Sequence, residues 1–431
     1  MADKLSGTIT DEAIAEMRQR IGKPRPYPGT IFFLQPNTDA FRNVAWAYGD
    51  DNPLWIDPDY ALKSRWGSVI APPAMVGGDG IIGETRLNDD ELADYATRRG
   101  DPLRGVHLFN SASEREWWAP LYPDRRVLRR DASVAVFEKQ SGFGGRSVHE
   151  WTAEVFAEDG GPVLSGQYSL WIRVEREKAR ERKKETIKFE PYTDEQIDEI
   201  DAAYAAQSGR RRGSDPRWFE DVEVGDVLPE TVKGPLQITD IICWHIGTGM
   251  GTYRTSSADL AYANRQRIPR FYFRDDLNVP DVLQRVHWDP EFARKSGNPS
   301  TFDVGKMREA WFTHVLTAWM GDDAWLWRLQ IEFRRFNYVG DTQWISGHVS
   351  GKHIDESGRC IVEVDLTARN QRGEDTTFGK GSVILPSREH GQVELPVPPG
   401  GARNLVDAMD GIQAEFDARN AAAAEEQVTH A

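Results

Sequence analysis

Trp55-Ile56-Asp57-Pro58-Asp59-Tyr60-Ala61 and, much further along the chain, His287-Trp288-Asp289-Pro290-Glu291-Phe292-Ala293 match position for position in character. A second pair follows in the same order. Glu116–Asp124 (EWWAPLYPD) parallels Phe333–Asp341 (FRRFNYVGD), each a strand running into a turn with an aspartate. Two matches in one order read as a duplicated domain. Each half is expected to be a long helix wrapped by an antiparallel sheet, an α+β arrangement. The expected division is 1–176 for the first domain, 177–215 for a charged connector, 216–387 for the second domain and 388–431 for a tail.

Periodicity supports the repeat. In the first half Ile14, Met17 and Ile21 recur at helical spacing before Gly22, and Phe41, Val44, Ala45 and Tyr48 form one apolar face ended by Gly49. Strands are expected around Val134–Phe137, Val148–Phe156 and Gly166–Val174. The connector opens on the charge run Arg176–Glu185, carries a helical segment near Asp194–Ala206 and reaches a polar stretch at Ser208–Asp215. Arg210–Arg212 in that stretch suit a flexible linker, with a phosphate patch as the alternative. In the second half a helix starts near Thr239, and a longer one spans Gly305 to Trp319 with Gly321 as its stop. Trp327, Leu329, Ile331 and Phe333 then alternate with Arg328, Gln330, Glu332 and Arg334, and Val362–Ala368 repeats the pattern. Both are half-buried antiparallel strands. After Pro386 a Pro/Gly-rich stretch precedes a short helix and an alanine- and glutamate-rich end expected to be disordered.

Composition narrows the function classes. With 431 residues the chain has room for two or three domains, and 39% hydrophobic residues fill ordinary cores. No apolar run is long enough to span a bilayer, and Met1–Leu5 shows no signal-peptide core. Only Cys243 and Cys360 occur, so neither a disulfide framework nor a thiolate metal site is expected, and a reducing, cytoplasmic setting is. The net charge of -15 argues against nucleic acid as a partner. The histidines show no metal-ligand spacing, and no phosphate-cradling glycine motif sits between a strand and a helix.

Tyr48-Gly49-Asp50-Asp51-Asn52-Pro53-Leu54-Trp55 resembles the signature of the MaoC-like (R)-specific enoyl hydratases, Gly-Asp-x-Asn-Pro-aliphatic-His. The segment from His287 through Gly297 to Gly305 is similar to the stretch that begins at that family's catalytic histidine. The resemblance covers most of both halves. It implies a tandem hot-dog fold, with a first half like the FAS1-like N-terminal dehydratase domain and a second, catalytic half. It also implies reversible hydration of the 2,3 bond of an acyl thioester, carried by coenzyme A or an acyl carrier, with no cofactor, no membrane, and a homodimer or higher homo-oligomer as the assembly.

Each half keeps only part of the motif. The first has Asp50 and Asn52 but Trp55 at the histidine position, and the second has His287 but Val282 five residues before it. Asp281 is the nearest carboxylate, and an apparent insertion at Gly251–Val279 could bring it into place. Hydration needs a base for water and a partner that orients it, and a neutral imidazole with a nearby carboxylate suits both tasks. His287 is therefore read as the base, with a structural loop histidine as the alternative. Asp281 is the candidate partner, against a helix cap or a surface carboxylate, and Asp50 with Asn52 a candidate second pair, against a degenerate motif that shapes the turn. Gly305, at a helix start, is expected to donate its N–H to the enolate oxygen. Arg265, Arg267 and Arg270 are read as a clamp for coenzyme A phosphates, with a solvated lid as the alternative. His245, on the helix before the insertion, is expected as a satisfied core histidine, with catalysis at the cleft as the alternative. His314 is expected to pack, and Trp311, Trp319, Trp325 and Trp327 to fill the core before any acyl tunnel. The competing functions are a non-catalytic thioester holder or scaffold, and a thioesterase of the same fold.

Overall fold

The computed structural model describes residues 7–27, 31–77, 81–98, 100–141, 145–175, 187–249 and 258–429, without the side chains at 141, 270 and 422–429. The charge run at Arg176–Glu185 lies outside the described residues. The long strands are β1 (His107–Trp117), β2 (Val127–Ser141), β3 (Gly145–Glu158), β4 (Val163–Val174), β5 (Val227–Lys233), β6 (Trp325–Phe333), β7 (Gln343–Ile354), β8 (Cys360–Asn370) and β9 (Asp375–Ile384). They form one 11-stranded sheet with the short strands Pro24–Arg25 and Glu84–Thr85. Its order is Pro24–Arg25, β2, β3, β4, β1, β6, β9, β8, β7, β5, with Glu84–Thr85 also on β2. Outward from the β1–β6 seam, both halves run first, fourth, third, second strand, and then the strand that preceded them. The duplication seen in sequence is thus a duplication of topology, and the chain is a double hot-dog.

The principal helices are α1 (Asp11–Gln19), α2 (Thr38–Trp46), α3 (Asp194–Gln207), α4 (Ile238–Thr248), α5 (Ala258–Arg267), α6 (Gly305–Met320) and α7 (Leu405–Thr429). α6 is the long helix of the second half. It lies close on β9 because two glycines clear its path. A Cβ at Gly379 would stand 2.5 Å from the Phe312 ring, and one at Gly381 2.5 Å from a Leu316 methyl. In the first half Val69, Ile70, Met75, Val76 and Ile82 fill the core with Trp117, Phe156 and Leu164, and residues 73–77 there form a turn. Pro72, Pro73 and the glycines from Gly77 to Gly83 make a helix costly in that stretch. The tail also differs from expectation, since α7 is 25 residues long. Its Ala408, Met409, Ile412 and Phe416 cover Ala132, Val134, Val155 and Tyr168 on the outer face of the first half. Val155 faces α7 while its neighbour Phe156 faces the inner core, as strand alternation requires. No helix of the described residues is long and apolar enough to cross a membrane.

The halves meet through buried charge as well as through strand pairing. Glu309 of α6 is ion-paired with Arg115 of β1 at 2.6 Å and with Lys306 at 3.0 Å, and accepts the Ser113 hydroxyl at 2.8 Å. Burial alone would raise the Glu309 pKa, but Arg115 and Lys306 outweigh it and hold the carboxyl below its usual range. Glu309→Leu leaves two buried cations unneutralised and should cost about 3–5 kcal/mol in urea unfolding. Adding Arg115→Met should recover part of that loss. A cost under about 1 kcal/mol for the single change would contradict the ion-paired seam.

Candidate active site

His287 closes the 3-10 turn Leu283–His287, just before Asp289 caps the short helix Pro290–Lys295 by accepting the Phe292 N–H at 2.9 Å. Its Nδ1–H donates to the Phe302 carbonyl at 2.9 Å, and the two rings meet edge to face. That bond fixes the tautomer and leaves Nε2 with a free lone pair. Burial pushes the His287 pKa down, partly offset by backbone bonds at Phe302 and Asp303. Gly305, three residues after Phe302, begins α6, and Val304 at the N-cap provides no side-chain bond. The Met307 N–H turns back to the Val304 carbonyl at 2.8 Å, while the Gly305 N–H at the positive end of α6 is oriented to meet an anion. The turn is held in place by Asp303, whose carboxylate pairs with Arg308 at 2.8 Å and whose N–H donates to the Asn337 carbonyl at 2.9 Å. The Phe302 bond thus ties His287 to the loop that leads into Gly305 at the start of α6.

The other expected residues of the second half lie differently. Asp281 sits in the short strand Pro280–Val282, its side chain 48% exposed, accepting the Val282 N–H at 2.7 Å and facing Arg285 at 3.6 Å. Among the described residues no hydrogen bond or ion pair joins it to His287. The insertion forms α5 and a small hairpin, Tyr272–Arg274 with Pro280–Val282, which uses Asp281 as a strand residue opposite Phe273. On α5, Arg265 lies over the Tyr262 ring and Arg267 donates to Asn264 at 2.8 Å, while the side chain of Arg270 lies outside the described residues. Arg210, Arg211 and Arg212 bond to the Glu230 carbonyl, the Asp51 carboxylate and the Asp215 carbonyl, as a structural linker would.

In the first half Asp50 is 1% exposed. Its carboxylate accepts the Asn52 N–H at 3.0 Å, the Tyr48 hydroxyl at 3.1 Å and the Trp55 indole N–H at 3.0 Å. Asn52 in turn accepts the Leu54 N–H at 3.0 Å and caps the turn Pro53–Ile56. Two side chains of the second half complete this cluster. His314 of α6 places Nε2 at 3.9 Å from Asp50, and Lys233 of β5 donates to His314 Nδ1 at 2.9 Å and to the Tyr48 carbonyl at 3.1 Å. His314, expected only to pack, is thus part of a buried charged network. Sequence reasoning missed Lys233, because a single lysine at the end of a strand carries no pattern.

No family model matches this chain, and no curated protein does. Solved structures do. A MaoC-like dehydratase aligns with a TM-score of 0.56 at 16% identity, over 86% of this chain and 99% of its own. A MaoC domain protein dehydratase from Chloroflexus aurantiacus J-10-fl aligns with a TM-score of 0.50 at 11% identity, over 84% and 96%. The fold is that of the MaoC-like dehydratases. At these identities the likeness is one of fold.

Within this MaoC-like fold a small, partly open cavity at the seam is lined by Trp55, Trp66, Trp117, Trp325, Ile70 and Met320. Trp325, expected in the core, is one of its walls. Next to the cavity the Asp50 cluster is electrostatically tense. Burial lowers the Lys233 pKa to about 8 against the pull of Asp50, and burial with the Lys233 charge lowers that of His314 to about 4. Both folded values lie below the ordinary 6.5 and 10.5, so the folded chain binds fewer protons than the unfolded one in each window. Stability contributed by the pair therefore rises with pH from about 4 to 6.5, and again from about 8 to 10.5. His314→Gln, which removes the titrating ring, should flatten the fall in unfolding free energy between pH 6.5 and pH 4.5. A slope equal to the wild type's would show that His314 is not held neutral.

Proposed function

We propose that the chain reversibly hydrates a 2-enoyl thioester to the 3-hydroxyacyl thioester, with R stereochemistry and the carrier, coenzyme A or an acyl carrier, taken from the family resemblance. The observation that carries this is the His287–Phe302 bond, which turns Nε2 into a base beside the uncapped start of α6. His287 takes a proton from water as the oxygen attacks the β-carbon. Charge develops on the thioester oxygen, and the N–H of Gly305 is the donor preorganised for it. On this reading the thioester sits in the second domain, 216–387, and the coenzyme A phosphates meet Arg265, Arg267 and Arg270. Asp281 and Asp50 are left out of the chemistry. The first is part of a hairpin, and the three donors on the second leave it fully engaged. The absence of a carboxylate bonded to His287 among the described residues is the observation favouring the second reading, a protein that holds a thioester without turnover.

An assay on crotonyl-CoA and longer enoyl-CoAs separates the readings. Loss of enoyl absorbance without free thiol marks a hydratase, thiol release marks a thioesterase, and neither marks a holder. His287→Asn should lower kcat on the order of 10²-fold or more with little change in KM. The acid limb of kcat/KM should fall below the ordinary imidazole value of 6.5, because burial favours the neutral ring. Wild-type turnover in His287→Asn would remove the proposal.

A further inference from the structure

Among the described residues no carboxylate is bonded to His287, so on the hydration reading another group must hold the attacking water. One side chain is placed for this. His245 projects from α4, the helix that corresponds in chain order to α2, which leads into Asp50 in the first half. Its ring lies edge to face on Trp288, with centroids 5.5 Å apart, and Trp288 is the chain neighbour of His287. Both of its ring nitrogens are shielded from solvent, and among the described residues neither has a hydrogen-bond partner. Buried polar atoms are almost always bonded, and the exceptions mark strain or function. After burial, the charge that bears on His245 is that of His287, and together they lower its pKa to about 4. A plain core imidazole would leave at least one nitrogen bonded to backbone or to a hydroxyl.

We infer that His245 is the second catalytic imidazole of the hydration site, holding the attacking water against His287 where the family motif has a carboxylate. The inference rests on the hydration reading above. The water oxygen bonds to the β-carbon while one of its protons passes to His287 Nε2. The double-bond pair moves onto the thioester oxygen, which the Gly305 N–H stabilises. His287 then returns the proton to the α-carbon, so one water is added and nothing else is consumed. His245, neutral throughout, accepts the second hydrogen of the water and fixes the direction of its lone pair. An imidazole in this role, unlike a carboxylate, does nothing to raise the pKa of His287.

His245→Phe preserves the ring packing on Trp288 and removes both nitrogens. It should lower kcat for enoyl-CoA hydration on the order of 10²-fold with KM changed less than about threefold. His245→Asn, whose amide still bonds water, should recover at least about tenfold of that loss. His245→Phe turning over within about threefold of wild type, while His287→Asn is inactive, overturns this inference and leaves hydration standing. Full activity of His287→Asn overturns both. A titration by NMR with histidine-selective ¹⁵N labelling is independent of turnover. His287→Asn should raise the His245 midpoint, and an unchanged midpoint means that the two rings do not share a site, which also overturns the inference.

Discussion

Five residue pairs, Ala112–Glu116 against Arg328–Glu332, make one sheet out of two. The way the two halves face each other depends on that antiparallel seam. It brings Arg115 and Ser113 of the first half over α6 of the second, where Glu309 neutralises one and accepts from the other. It brings the Trp325 indole N–H to the Trp117 carbonyl at 2.8 Å, which closes one wall of the aromatic cavity. It also holds Asp50 across from His314 and Lys233. With the seam fixed, the free edges of the sheet are left to β5 and the two-residue strand Pro24–Arg25. Short or terminal edge strands of this kind limit further pairing.

Most of the fold was legible because its signals are local. α6 was expected over Gly305–Trp319 and runs over Gly305–Met320, since an apolar stripe and a stop glycine at Gly321 define it without help from the rest of the chain. The Asp-Pro phrases of the repeat recur as two capped helical turns, with Asp57 accepting from Asp59 and Tyr60, and Asp289 from Phe292. β1 was visible in sequence only at its end, where Glu116 runs into a turn. Its Ser113, Arg115 and Glu116 look like solvent residues, and only the far half of the chain, by supplying Glu309 and Arg328, explains their burial. Among the described residues the first half has no helix as long as α6, and Pro72, Pro73 and Gly77 account for that locally. The length of α7 has a distant cause, the apolar outer face of β2 and β3.

The site was legible in its identities more than in its pairings. His287 and Gly305 were singled out from the spacing of a motif, and His287 bonds the Phe302 carbonyl three residues before Gly305 opens α6. Asp281 was chosen for its nearness in sequence, but the hairpin in the insertion commits it to Val282 and Arg285. Asp50 keeps its family position and loses its partner. With Trp55 donating an indole N–H where the motif has histidine, the carboxylate serves the turn and the seam. His314 and Lys233 join it only through tertiary contact, which no pattern in the sequence could announce.

The central claim is that the thioester reacts at the start of α6 in the second half, and a crystal structure with a non-reactive enoyl-CoA analogue tests it most directly. The account predicts the thioester oxygen within hydrogen-bonding distance of the Gly305 N–H and the β-carbon beside His287 Nε2, at about 3–3.5 Å with a water between where the geometry requires one. A thioester bound instead against Asp50 and Trp55, with His287 remote from the ligand, would contradict it.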